Sequence, residues 1–130
     1  MDVKMIKVLL VEDTSIDAEL VLRQLRRHGF SFESKRVSTE PDFLQLLKDF
    51  DPDVILSDYS LPLFSGLRAL ELTRQLAVDI PFIFVSGSIR PQDAASAYKD
   101  GAVDFVIKDD LMRLGLAIEN ALSASPKVRS

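Results

Sequence analysis

The chain predicts an α/β fold: a five-stranded parallel sheet in the order 2-1-3-4-5, covered by helices on both faces. Three observations predict it. Strand-like apolar runs and stretches of helical spacing alternate five times, the pattern of repeated βα units. Runs such as Met5–Val11 (MIKVLLV) and Pro81–Val85 (PFIFV) are almost wholly apolar rather than alternating, as strands buried on both faces are. The second run, Phe32–Val37, is partly polar and belongs at a sheet edge, which fits that strand order.

Each element has its own signals. After the first strand, Thr14-x-x-Asp17 resembles a helix-start capping pattern. Ala18, Val21, Leu22 and Leu25 then share one helix face. Arg26, Arg27 and His28 suit the negative end of that helix, and Gly29 suits a left-handed cap. Thr39 and Pro41 open the second helix, with Phe43, Leu46, Leu47 and Phe50 inward. Asp51-Pro52-Asp53 breaks it and leads into the third strand, which ends at Asp58. Ser65-Gly66 starts the third helix, with Ala69, Leu72, Thr73 and Leu76 on one face and Leu67 and Leu70 beside them. The fourth strand ends at Ser86-Gly87. Pro91 opens a helix with a small face of Ala94, Ala97 and Tyr98, so this helix is expected to pack lightly. Val103–Ile107 is the fifth strand. Asp109 or Asp110 is expected to cap the last helix, with Leu111, Leu114, Gly115, Ile118 and Leu122 inward. Ser123–Ser130 (SASPKVRS) reads as a tail, which places the domain over residues 1–123 and a tail or truncated linker over 124–130.

Composition narrows the functions. At 130 residues the chain is the size of one ordinary domain. With no cysteine it has neither disulfides nor thiolate metal sites. No apolar run approaches the ~20 residues that span a bilayer, and no signal peptide is visible, so a cytoplasmic location is expected. A net charge of -4 argues against direct nucleic-acid binding, which needs a basic footprint.

Four strands end in groups that chemistry uses: Glu12-Asp13, Asp58, Ser86 and Lys108. Parallel strands bring all four exits to one edge. The first and third strands flank the point where the winding reverses and a crevice opens. Three carboxylates gathered there repel one another, and at least one is expected to show a raised pKa. Lys108 offsets one charge and a hard divalent cation offsets two. Mg²⁺ suits oxygen ligands on an open rim, because it usually keeps several waters. With the charge so balanced, Asp58 can attack phosphorus as a nucleophile, Lys108 can stabilise the phosphoryl oxygens, and Ser86 can donate a hydrogen bond to one of them.

This constellation resembles the receiver domain of two-component response regulators, the CheY-like, flavodoxin-like three-layer arrangement. The resemblance covers essentially the whole chain. It rests on Glu12-Asp13, Asp58 followed by Pro62 and Gly66, Ser86-Gly87, Gly101-Ala102 and Lys108. It implies that Asp58 is the phosphoacceptor and that a sensor histidine kinase or phosphotransfer protein is the donor. Glu12, Asp13 and Asp58 would bind Mg²⁺, with the Ser60 backbone carbonyl as a further ligand. Ser86 takes the place of the switch hydroxyl and Phe105 that of the aromatic switch. The face of the fourth helix, fifth strand and fifth helix would meet a downstream protein or domain. The chain departs from the family pattern where Asp109 follows Lys108 in place of a proline. A cis bond without proline costs about 3 kcal/mol, so a trans bond and an altered loop are expected.

Plainer readings exist for each group. Asp58 alone fits a strand-end turn, Glu12-Asp13 a solvated helix start, Ser86 a turn and Lys108 a surface charge. Phe105 fits core packing as well as switching. Tyr59 is either a partner contact or part of the site rim. His28 reads as a helix-end residue, and Arg23, Arg26 and Arg27 as a solvated face. Ser60 and Ser88 flank the site and could influence water access. Two other functions compete with a switch that is not a multiple-turnover enzyme. One is a receiver-fold binding module that works without phosphorylation. The other is an aspartyl phosphatase of the haloacid-dehalogenase type, for which Asp58-Tyr59-Ser60 lacks the second aspartate.

Overall fold

A computed structural model describes residues 5–77, 79–87 and 90–125. Five parallel strands, β1 (Ile6–Val11), β2 (Phe32–Val37), β3 (Val54–Ser57), β4 (Phe82–Ser86) and β5 (Asp104–Ile107), form one sheet in the order β2-β1-β3-β4-β5. The helices are α1 (Ser15–His28), α2 (Glu40–Asp49), α3 (Gly66–Leu76), α4 (Pro91–Lys99) and α5 (Leu114–Ala124). This is the predicted class and strand order.

The apolar runs explain the layering. Successive side chains of a strand point to opposite faces, so β1 divides its run between two cores. Leu9 and Val11 face α2 and α3, in a core that holds Phe43, Leu47, Ala69, Leu70, Phe82 and Phe84. Val8 and Leu10 face α1 and α5, with Val21, Leu25, Leu114 and Ile118. The polar β2 pairs with β1 alone and forms an edge.

The helix starts follow their sequence signals. Thr14 accepts a hydrogen bond from the Asp17 amide (3.2 Å), Thr39 from Asp42 (3.5 Å) and Ser65 from Arg68 (3.0 Å). Gly29 closes α1 in the left-handed region at φ 94°, and its amide reaches the Arg26 carbonyl. On α4 only Ala97 is buried, as the small face predicted.

Several expectations need correction. Leu67 and Leu76 are exposed, at 38% and 64%. The inward face of α3 runs instead through Gly66, Ala69, Leu70, Leu72 and Thr73, and Ile80 beyond the helix joins the same core. Tyr98 points outward, and its hydroxyl bonds to Asp104 (3.2 Å). Neither Asp109 nor Asp110 caps the last helix. A 3-10 turn occupies Lys108–Arg113, the helical path breaks at Asp110 (φ −129°, ψ 49°), and α5 begins at Leu114. No peptide bond among the described residues is cis, so Lys108–Asp109 is trans as expected. Ser125, just past α5, is buried and donates to the Asp79 carbonyl (2.9 Å).

Candidate functional site

Register aligns the exits that matter. Val11 pairs with Ser57, Ser57 with Phe84, and Ser86 with Ile107. Just beyond the ladder, the Asp58 amide donates to the Val11 carbonyl (2.9 Å) and the Glu12 amide to Val37 (2.9 Å). The backbone therefore holds Glu12 and Asp58 on adjacent strand exits. Ser57 Oγ donates to the Asp58 carbonyl (2.8 Å), and Arg36 reaches across from β2 to the Glu12 carbonyl (3.1 Å).

The carboxylates of Glu12, Asp13 and Asp58 each place an oxygen within 4.8 Å of the other two. Glu12 is buried, Asp58 partly so and Asp13 exposed. The Ser60 amide donates to Asp58 Oδ1 (3.3 Å), which steadies the carboxylate at the head of the β3 exit. Gly66 lets α3 close in behind it: a Cβ there would lie 2.3 Å from the Asp58 carbonyl oxygen and 2.7 Å from the Phe84 ring.

Lys108 bridges the cluster. Its Nζ is 3.0 Å from Asp17 Oδ2, 3.2 Å from Glu12 Oε1 and 3.5 Å from Asp58 Oδ2. Burial pushes the Glu12 carboxyl up to about 7; Lys108 draws it back down, and the neighbouring Asp58 charge adds to the rise. This is the raised carboxyl that the gathering of acids predicts. Lys108 is itself partly desolvated, which lowers its pKa, but Asp17, Glu12 and Asp58 together hold it above the ordinary lysine value. Asp17 is lowered, chiefly by its hydrogen bond from Lys108.

The cluster fits a hard divalent cation on its own chemistry. Glu12 Oε1 is used by Thr14 (3.2 Å) and Lys108, while Oε2 is buried without a hydrogen-bond partner. A buried carboxylate oxygen with no donor, beside two more carboxylates, is an incomplete polar group that oxygen-seeking cations complete.

The remaining expected residues fall nearby. Ser86 is the buried last residue of β4, on the strand next to that of Asp58. Phe105 is buried and packs on Phe84 and Tyr59, with ring centroids 5.5 and 6.0 Å apart. Tyr59 therefore lines the inner wall as part of the aromatic packing. Ser60 is exposed beside Asp58, and Ser88 lies outside the described residues. His28 stacks on Phe30 at 5.0 Å and pairs with Glu119 (3.2 Å), far in sequence from the acid cluster. Arg23, Arg26 and Arg27 are exposed.

Two site residues escaped the sequence reading. Asp17 was read only as part of a helix start, and its place one turn into α1 put it in reach of Lys108. Arg36 sat in a strand called polar. The signal for both is a charge on an element that begins or pairs at the β1 exit.

A doubly wound α/β domain with a lysine-bridged acidic crevice at its carboxyl edge defines the class. Within that class, residues 8–119 match the family model of the response regulator receiver domain, and the chain belongs to that family. It is 31% identical over 102 residues to the cell cycle transcriptional regulator CtrA of Caulobacter vibrioides, covering 78% of this chain and 43% of CtrA. It is 31% identical over 122 residues to the regulatory protein LuxO of Vibrio vulnificus, covering 93% of this chain and 26% of LuxO. The chain thus spans less than half the length of these relatives. Among solved structures it resembles a receiver domain protein from Clostridium thermocellum (TM-score 0.79, 24% identity, 92% of this chain and 95% of that one). It also resembles the Mn²⁺-bound form of the response regulator Rcp1 (TM-score 0.70, 25% identity, 88% and 92%). Membership is consistent with phosphorylation-controlled signalling. Among the described residues no helix is long and apolar enough to cross a membrane.

Proposed function

We propose that this chain is a phosphorylation-controlled switch in which Asp58 accepts a phosphoryl group in a Mg²⁺-dependent step. The observation that carries the reading is the convergence on Asp58: Glu12 and Asp13 within 4.8 Å and the Lys108 ammonium at 3.5 Å. An Asp58 oxygen forms a bond to phosphorus while the bond from phosphorus to the donor's nitrogen or oxygen breaks, and the donor keeps that electron pair. Lys108 stays cationic and faces the incoming charge. Glu12, Asp13, Asp58 and the Ser60 carbonyl would hold Mg²⁺, which when bound supplies positive charge for the phosphoryl oxygens. The Mn²⁺-bound form of the similar Rcp1 supports a divalent cation in a receiver of this kind.

The donor we infer is a histidine kinase or a phosphotransfer protein. Ser86 would donate to a phosphoryl oxygen, and Phe105 would report the change to the surface of α4, β5 and α5, where a downstream protein or domain docks. The light packing of α4 supports movement there. The whole of residues 1–123 would form the receiver, with 124–130 as tail or linker. The protein would act in the cytoplasm, and neither nucleic acid nor membrane would be a direct partner. It would not turn over a separate substrate.

The test is incubation with Mg²⁺ and a small acyl phosphate, followed by intact mass measurement. One phosphoryl increment is expected in the wild type, none in Asp58→Asn and none after chelation. An increment that persists in Asp58→Asn would sink the assignment.

A further inference from the structure

Lys108 has more acceptors than the expected reaction needs. An ammonium has three donors. Two of them make hydrogen bonds, to Asp17 Oδ2 (3.0 Å) and Glu12 Oε1 (3.2 Å). The contact with Asp58 Oδ2 is the longest of the three, at 3.5 Å. The shortest thus goes to a carboxylate that lies outside the acid cluster proposed to hold the metal.

Asp17 is well placed to compete. It sits in the first turn of α1, where a negative charge is favoured by the helix dipole. Its amide is fixed by Thr14, the helix cap. Its side chain is 36% exposed, against 17% for Lys108 and 15% for Asp58, so it holds the lysine from the solvent side of the crevice. Its charge also adds a fourth carboxylate to an opening through which an anionic donor must pass.

Resting on the proposed phosphoryl transfer to Asp58, we infer that Asp17 is a positioning residue that draws the Lys108 ammonium off Asp58 and so sets how readily the site takes an anionic phosphodonor. Removing its charge frees a lysine donor for Asp58 and its incoming phosphoryl group. The effect has the opposite sign to that of a structural defect, because losing a first-turn aspartate would otherwise weaken α1 and the site with it.

The experiment compares wild type, Asp17→Asn, Asp17→Glu and Glu19→Gln. Glu19 lies on the same helix, is exposed and pairs with Arg26 (3.0 Å), so its variant removes one charge without touching Lys108. Two readouts are used. In the metal-free protein, ¹⁵N-selective NMR follows the Lys108 ammonium signal. With Mg²⁺, the phosphorylation rate is followed against acyl phosphate concentration.

Asp17→Asn should move the Lys108 signal and lower the half-saturating donor concentration about two- to five-fold, the range expected of a partly exposed ion pair. Asp17→Glu should return both towards wild type, and Glu19→Gln should change neither. An Asp17→Asn protein that is phosphorylated no faster than wild type overturns the inference while the proposed function stands. A gain of equal size in Glu19→Gln also overturns it, since net charge then suffices. A wild type that moves its NMR signal as expected but never takes a phosphoryl group brings down the proposed function, and this inference falls with it.

Discussion

Asp58 owes its position to a glycine as much as to its own strand. With α3 starting at Gly66, the helix backbone comes against the Asp58 carbonyl and the Phe84 ring, and a Cβ there would lie 2.3 and 2.7 Å from them. Neither neighbour is the free end of a flexible side chain. Gly66→Ala should therefore cost about 1–3 kcal/mol, the range for an overpacked site, read as a lower urea midpoint; an unchanged midpoint would mean α3 can back away. A second residue-scale effect lies at Asp104. Partial burial raises its carboxyl, but hydrogen bonds from Arg113 and the Phe105 amide outweigh this, and it lies below the usual 3.8. The folded state therefore favours the ionised form. Its contribution is present above the unfolded value and lost as pH falls through the folded one. Asp104→Asn should be less stable than wild type at neutral pH, with the difference in urea midpoint shrinking towards pH about 3. A constant difference would show that the charge is not what matters. At this scale Asp58, Glu12 and Lys108 were legible because each follows an apolar strand directly. Asp17 was not, since its partner Lys108 is 91 residues away and only the closed fold brings the two together.

The elements were legible where one local rule decides them. Strands buried on both faces read as unbroken apolar runs, and Thr14, Thr39 and Ser65 are caps whose side chains bond the amides three residues on. The turn after Lys108 was not legible. Asp109 and Asp110 both look like caps, but the break at Asp110 delays α5 until Leu114, which is buried against β-strand residues of the second core. Packing of that leucine overrides the local capping preference. Helical spacing alone also misplaced Leu67, Leu76 and Tyr98, because spacing says which residues share a face and not how far the neighbouring layer extends. Light packing, by contrast, was legible in α4. It buries Ala97 alone and has no side-chain cap bond, whereas α3 buries five residues. Amides of α4 should therefore exchange with deuterium through openings of lower free energy than those of α3. Hydrogen-exchange mass spectrometry would read this as faster uptake over Pro91–Lys99 than over Gly66–Leu76; equal protection would remove the basis for a mobile α4.

At the scale of the molecule, two cores clamp one sheet and leave its carboxyl edge as the place where unfavourable charge collects. Three carboxylates sit within 4.8 Å of one another, one oxygen of Glu12 is buried without a donor, and burial holds Glu12 up to about 7. The sheet tolerates this arrangement because strands packed on both faces cannot shift independently to relieve it. The cost should appear in global stability and be offset by a cation. A ligand that binds the folded state alone stabilises it by RT ln(1 + [L]/Kd), or about 2.7 kcal/mol at a concentration a hundredfold above Kd. Mg²⁺ should therefore raise the thermal midpoint of the wild type in a concentration-dependent way, while the same ionic strength of a monovalent salt should not. Asp13→Asn separates the two halves of the effect. Asp13 is the exposed member of the cluster, so its replacement removes repulsion without opening a cavity. The metal-free variant should melt at or above the metal-free wild type, yet gain less from Mg²⁺. A variant that melts lower without metal and gains as much with it would show that the carboxylates neither strain the fold nor share a cation.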